Sequence, residues 1–377
     1  MRWLLALFVS SLVGTATAAP AATVLASRVS LAGASLEHVS LADGTSLRAS
    51  LAPSAPVRTG VGFPPGRQSR AGVLETAPVI LAPFDVAVVS WNALTPRGTW
   101  LRVDARARLA GRWTRYYALG VWSTDTSLAR HSFGGEADGD GRVSTDTLKL
   151  ARAADAIQLR VTLGSTVAGA APTLTALAIA PALNESRKVV DPRPSDRRAW
   201  GKELPVPAYS QMVYPDGGRV WCSPTSTTML LAYWGERLGK PLADKVPVAA
   251  RLVWDSTYQG AGNWPFNTAY ASSKGLLAYV GRLSSLAQAE AFIARGVPLA
   301  LSVAWGKGEL AGAHLPSSDG HLVVLRGFEA NGDAIVNDPA APADARVRTV
   351  YRRAELERAW VGHSGGIVYV IEPPAEQ

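Results

Sequence analysis

The sequence carries a single cysteine, Cys222, among 377 residues. An internal disulfide is therefore excluded, and with it the stapled scaffold common among small exported proteins. Metal-binding patterns are missing as well. The 5 histidines (His38, His131, His314, His321 and His363) show no paired spacing, and no cysteine cluster joins them. No apolar run reaches the length of a transmembrane helix, so no membrane span is expected. Charged residues make up only 18% against 47% apolar, which excludes a disordered chain. The 38 basic residues give a net charge of +8, yet they form no long run. No nucleic-acid motif accompanies them, so the expectation is a solvated basic surface and no nucleic-acid partner. Neither a metal nor a cofactor is expected.

What is present first is an export signal over residues 1–18. Arg2 supplies a positive start, 4–13 an apolar stretch, and Ala16-Thr17-Ala18 a small-residue cleavage site. The expectation is a secreted, extracellular protein without an anchor. Residues 27–183 then read as an all-β sandwich, jelly-roll-like, with strands at 35–39, 46–51, 79–82, 85–90, 99–105, 115–120, 158–163 and 174–180. Asp43-Gly44 marks a hairpin between the first two. Trp91, Trp100, Trp113 and Trp122, with Tyr116 and Tyr117 among them, either fill the core or stack on sugar rings as a wall- or carbohydrate-binding surface. Asp138-Gly139-Asp140-Gly141 resembles half a calcium loop, but Val143 and Lys149 stand where the loop needs Gly and Glu, so a tight acidic turn is expected. Residues 184–203 are polar and proline-bearing, the composition of a linker. The remainder, 204–377, mixes helical and strand patterns and reads as α+β.

Cys222 precedes Ser223-Pro224 and then Met229, Leu230, Tyr233 and Trp234 at helical spacing. Pro224 suits a first helical turn, Ser223 an N-cap, and Gly235 or Gly239 a stop. The pattern predicts a helix beginning at or just after Cys222. Unpaired N–H groups and the positive end of the helix dipole lower a thiol pKa at such a place, and the thiolate is the nucleophile. An inert buried cysteine would gain nothing from it.

A nucleophilic thiol needs a base. His321 opens a β-branched run at 321–328, Asn331-Gly332 is a hairpin turn, and 334–339 is the returning strand. The hairpin brings His321 and Asp338 to one edge, where a carboxylate can fix the tautomer of the imidazole. An ideal two-residue turn would set Asp338 opposite Leu325, so a longer turn or a bulge is required. Otherwise His321 merely starts a strand and Asp338 merely ends one. A rival motif, Gly362-His363-Ser364-Gly365-Gly366, fits the serine-hydrolase elbow. It runs from a helical segment into a strand, the reverse of what that elbow needs, and reads as a glycine turn.

Tyr209-Ser210-Gln211, Trp221-Cys222-Ser223-Pro224-Thr225-Ser226, Gly320-His321-Leu322-Val323-Val324 and Val336-Asn337-Asp338-Pro339 are similar to motifs of the papain-like cysteine peptidases related to the double-glycine, bacteriocin-processing peptidases. The resemblance covers about 204–372. It implies a papain-like α+β domain, peptide-bond hydrolysis by Cys222, His321 and Asp338, and an oxyanion-hole role for the Gln211 side chain. Two departures stand out. Residues 214–219 look like a loop inserted between Gln211 and Cys222. The membrane transporter fused to bacteriocin-processing members has no counterpart here, so double-glycine specificity is not carried over. Trp221, Trp264 and His314 are candidate substrate-binding residues, with Trp254 a further candidate for the cleft wall. The expected substrate is a peptide or protein. A cell-wall amidase or endopeptidase and a transglutaminase-like acyl transferase would use the same residues, and a catalytically dead wall-binding protein is the non-enzyme alternative.

Overall fold

The computed structural model describes residues 23–25, 34–37, 39–42, 46–49, 70–184 and 193–374. The expected signal, the Asp43-Gly44 turn and most of the polar part of the expected linker lie outside the described residues.

Every regular element described before residue 184 is a strand: Thr23–Leu25 (β1), Ser35–Glu37 (β2), Val39–Ala42 (β3), Ser46–Ala49 (β4), Arg70–Glu75 (β5), Val79–Leu94 (β6), Thr99–Leu109 (β7), Arg112–Trp113 (β8), Tyr117–Trp122 (β9), His131–Ser132 (β10), Gly141–Ser144 (β11), Thr147–Ser165 (β12) and Thr173–Ala182 (β13). Strands β3 and β4 pair antiparallel, Ala42 opposite Ser46, as the hairpin signal requires. Period-2 patterning builds the core: Leu101, Val103, Ala105 and Ala107 are buried, while Arg102, Arg106 and Arg108 are half-exposed. The long strand β12 is shared. Its first half pairs with β6 and its second with β5 and β7, so hydrogen bonding joins all these strands in one network.

Two sequence expectations need correction here, and one left open is decided. The two strands foreseen at 79–82 and 85–90 are the single strand β6. Pro83 is tolerated because it sits where the β6–β12 register shifts, between the Ile80–Ala156 and Phe84–Ala154 pairs, so its missing N–H costs no ladder bond. Of the two readings open for Trp91, Trp100 and Trp122, core or sugar-stacking surface, the core holds: all three are buried. Trp113 is half-buried beneath the guanidinium groups of Arg106 and Arg108. Nor is 193–203 a free linker. The turn Arg197–Ala199 buries Ala199, Leu204 and Val206 are buried, and Trp200 Nε1 donates to Glu290 Oε1 at 2.7 Å. The acidic turn at 138–141 is a turn as expected, held by Arg112, Arg115 and Tyr117.

The second half holds the helices Cys222–Leu238 (α1), Val246–Leu252 (α2), Trp264–Ser272 (α3), Leu286–Ala294 (α4) and Arg353–Ser364 (α5). Its strands are Leu277–Arg282 (β14), Leu299–Trp305 (β15), Ser318–Phe328 (β16), Ala334–Asn337 (β17), Arg348–Tyr351 (β18) and Ile367–Glu372 (β19). They form an antiparallel sheet in the order β14-β19-β15-β16-β17-β18. Helix α1 packs on this sheet and on α2 and α3, with Met229, Leu230, Leu231 and Tyr233 all buried, and ends at Gly239 in the left-handed conformation. The glycine turn foreseen at 362–366 is the end of α5. Ser364 Oγ donates to the Ser302 carbonyl, and Gly366, at φ 74°, passes so close to the Leu283 carbonyl that no Cβ would fit.

The two halves are bound by a broad seam. Strand β14 lies at the edge of its sheet, and side chains from β6 satisfy its outward groups. Asn92 accepts from Ala278 N and donates to Ala278 O, while Ser90 Oγ accepts from Val280 N. Phe266 of α3, fully buried, packs against Trp91 and Trp122 with ring centroids at 6.1 and 5.4 Å. Phe266→Ala is expected to destabilise the chain by about 3–5 kcal/mol. Calorimetry should show one cooperative transition moving down for both halves. A first half that melts unchanged would contradict the seam's role.

Candidate active site

The first turn of α1 begins at Cys222, with Trp221 at the cap position. No side chain caps this end. Ser223, expected as the N-cap, is instead inside the helix, buried, with its Oγ 2.7 Å from Tyr369 Oη. The helix thus keeps its positive end open beside a partly exposed thiol. The His321 side chain and the backbone N–H groups of Leu322 and Ser223 neighbour the thiol and favour its ionised form.

His321 stands on β16, buried, opposite Val303 of β15, and the Trp305 ring meets its imidazole edge-on at 5.8 Å. Its Nε2 lies 2.7 Å from Asp338 Oδ1. With that nitrogen engaged, Nδ1 is the one left for the sulfur. The register problem foreseen in the sequence is solved in two steps. The turn spans 329–333, wider than two residues, and a bulge at Arg326 shifts the pairing again, so that Val324 faces Asn337. Asp338 then follows directly after the strand end, opposite Val323, whose face His321 shares.

Asp338 is fully buried and well satisfied. Tyr351 Oη donates to Oδ2 at 2.5 Å, and Ala340 N donates to Oδ1 at 2.9 Å. The residues that follow Asp338 then secure Gln211. Gln211 N donates to Pro339 O at 2.9 Å, Ser210 Oγ donates to Ala341 O, and Ser210 N donates to Asp344 Oδ1. Asn337 Nδ2 holds the carbonyls of Val206 and Pro207 just upstream. The presumed insertion at 214–219 is a tight succession of turns: Tyr214 N donates to Gln211 O, Gly218 N to Tyr214 O and Trp221 N to Gly218 O. Gly218 presses on the Gln211 carbonyl with no space for a side chain. The chain between Gln211 and Cys222 is thereby folded back on itself. Gln211 itself is buried, and its Oε1 has no hydrogen-bond partner.

The other expected residues scatter. Trp221 is half-buried against Tyr214. Trp264 opens α3, and its backbone N–H donates to Asp146 Oδ2 from the β-rich half at 2.9 Å. Trp254 is partly exposed. His314 Nε2 lies 3.1 Å from Thr349 Oγ1, which ties it to β18. Sequence reasoning missed Tyr351, Asn337 and Trp305. Only Asn337, next to Asp338 in the motif, carried a signal. Among the described residues no group of His, Cys, Asp and Glu is placed to hold a metal.

Two family models match the chain in succession. One, described as the peptidase C39 N-terminal domain, matches residues 41–182, and one described as the peptidase C39-like family matches residues 203–367. The chain belongs to the C39-like peptidase family. No curated protein matches it significantly. A solved structure described as a C39-like peptidase from Bacillus anthracis is similar at 15% identity and a TM-score of 0.29, covering 45% of this chain and 98% of that one. No helix among the described residues is long and apolar enough to cross a membrane.

Electrostatics in this C39-like chain favour charge separation. Burial works against a charged His321, but the adjoining Asp338 carboxylate and, after it, Cys222 raise its pKa to about 10. Burial likewise opposes the thiolate, yet His321 and the two backbone donors bring the Cys222 pKa below its ordinary value. Asp338 is lowered too, since His321, Tyr351 and Ala340 outweigh its burial. The sign for stability follows. A histidine raised from 6.5 to about 10 stabilises the fold fully below pH 6.5 and loses that contribution as pH climbs through 10. Urea titrations of His321→Gln against wild type should therefore show a stability gap that narrows by more than about 1 kcal/mol between pH 6.5 and pH 10.5. A gap independent of pH would contradict the raised pKa.

Proposed function

We propose that this chain is an exported cysteine peptidase that cleaves peptide bonds with Cys222 as nucleophile, His321 as general acid and base, and Asp338 as the group that orients His321. The carrying observation is the single cysteine at an uncapped helix start, next to a histidine whose Nε2 is held by a buried carboxylate at 2.7 Å. Export rests on the signal-like residues 1–18. The strands before residue 184 are read as a sandwich-like scaffold in which β12 passes from one layer to the other.

In the proposed cycle the Cys222 thiolate attacks the amide carbonyl carbon. Electrons of the C=O bond move onto oxygen, and the backbone N–H of Cys222 and the Gln211 amide receive that oxyanion. As the C–N bond breaks, His321 gives its Nδ1 proton to the leaving amine. Neutral His321 then takes a proton from water, whose oxygen attacks the thioester. The thiolate departs, and His321 is again the imidazolium. Asp338 stays ionised throughout and supports the charge on the imidazole.

Zymography on casein and on purified peptidoglycan tests the reading. Casein should be cleared by the wild type and not by Cys222→Ala. Clearing by Cys222→Ala would overturn the nucleophile, and clearing of peptidoglycan alone would redirect the activity to the cell wall. Gln211→Ala should lower kcat by about 10²–10³ with little change in KM. The rate should fall on the alkaline side as pH passes about 10, where His321 loses its proton.

A further inference from the structure

Residues 212–221 join Gln211 directly to Cys222, so both ends of this loop are fixed at the reacting centre. The loop exposes apolar side chains that could have been buried. Met212, Val213 and Val220 are 37%, 49% and 64% exposed, and they make up three of the eleven large apolar residues exposed among the described residues. Water-facing apolar groups gathered in one short segment mark a contact surface. Asp216 and Arg219, both exposed, supply a polar rim.

These side chains are held out by a folded element. Met212 N donates to Ser210 Oγ at 3.0 Å, Gly218 N to Tyr214 O at 3.1 Å and Val220 N to Gly217 O at 3.0 Å. Trp221 is engaged within the loop. Its indole lies against Gly217, at φ 131°, where a Cβ would stand 2.9 Å from the ring, and the Tyr214 ring meets it at 6.0 Å. Trp221, which the sequence offered as a substrate contact, therefore braces the loop. The large apolar side chains this leaves exposed to solvent are Met212, Val213 and Val220.

The oxyanion belongs to the residue whose carbonyl is attacked. Its two donors in the cycle above, the Gln211 amide and the Cys222 N–H, are the residues that bound the loop, while His321 serves the leaving amine from β16. The side chain on the acyl side of the scissile bond is therefore the part of the substrate nearest the loop. We propose that Met212, Val213 and Val220 form an apolar ledge that binds this side chain and selects substrates with a large apolar residue there, such as leucine. The inference rests on the peptidase reading above for the nature of the ligand. A ledge already folded loses little further freedom when it binds.

The experiment uses the full chain and two peptidyl diazomethyl ketones, which alkylate a catalytic thiol to a thioether with loss of N₂ and need no hydrolysis. They differ only in the residue next to the reactive group, leucine in one and alanine in the other. Inactivation kinetics give KI and the limiting rate separately, and iodoacetamide, which carries no side chain, reports the thiol alone. The wild type should bind the leucine probe with a KI about tenfold lower than the alanine probe. Met212→Ser/Val213→Ser/Val220→Ser should abolish that preference with the iodoacetamide rate kept, and Met212→Leu/Val213→Ile/Val220→Ile should retain it. All three positions are exposed, so both variants should fold.

Equal KI values for the two probes in the wild type, or labelling by neither, overturn the proposal. So does a preference that survives in the serine variant. Sedimentation velocity covers the rival occupant: association of wild-type chains that is lost in the serine variant, with no difference between the probes, assigns the ledge to a second copy instead. If the wild type fails to hydrolyse casein while the leucine preference and its loss hold, the peptidase reading fails and the ledge stands.

Discussion

A carboxylate taken fully out of water is costly unless every lone pair finds a donor and an opposite charge stands beside it. Asp338 meets that condition with three partners, His321, Tyr351 and the Ala340 backbone. The same arrangement that makes the buried carboxylate tolerable makes a charged imidazole favourable next to it, and His321 in turn lowers the Cys222 pKa. Removing the carboxylate would undo this sequence from its far end. The hairpin register, the bulge at Arg326 and the open start of α1 all serve to bring these groups into line.

The architecture around this pair ties separate pieces of chain to it. The residues after Asp338 secure Gln211, so the acid and the oxyanion candidate are fastened by one loop. Asn337 anchors the approach to that segment, and Trp305 closes on the imidazole from β15. The seam with the β-rich region continues through Asp146, which accepts from Trp264 N at the start of α3, and through Ser132, whose N–H donates to the buried Asp255. A region that a linear reading separates from the chemistry is therefore in contact with α3, which bonds to α1 through Asn267 and Thr227.

Much of this was legible in the residues. The lone cysteine before Pro224, the β-branched run after His321 and the Asn331-Gly332 turn are local signals, and local signals placed α1 and the β16–β17 hairpin. The bulge at Arg326 was not legible, only the need for one, because register depends on how the turn residues pack. Ser223 failed as a cap because Tyr369, far along the chain, claims its hydroxyl. Trp91, Trp100 and Trp122 could not be assigned to core or surface from spacing alone, since burial is decided by which strands close over them. Tyr351 and Asp255 left no mark at all: a tyrosine in a strand and an aspartate in a loop acquire meaning only from distant partners. The stretch 193–203 looked like a linker because its composition is polar, but Ala199, Leu204 and Val206 are enough to dock it.

Because Cys222 is the sole cysteine, ¹³C labelling of cysteine Cβ gives one resonance that reports its ionisation without interference. The account predicts that in the wild type this resonance moves to the thiolate position at a lower pH than it does in His321→Ala. A wild-type resonance that stays at the thiol position until that same pH would contradict it.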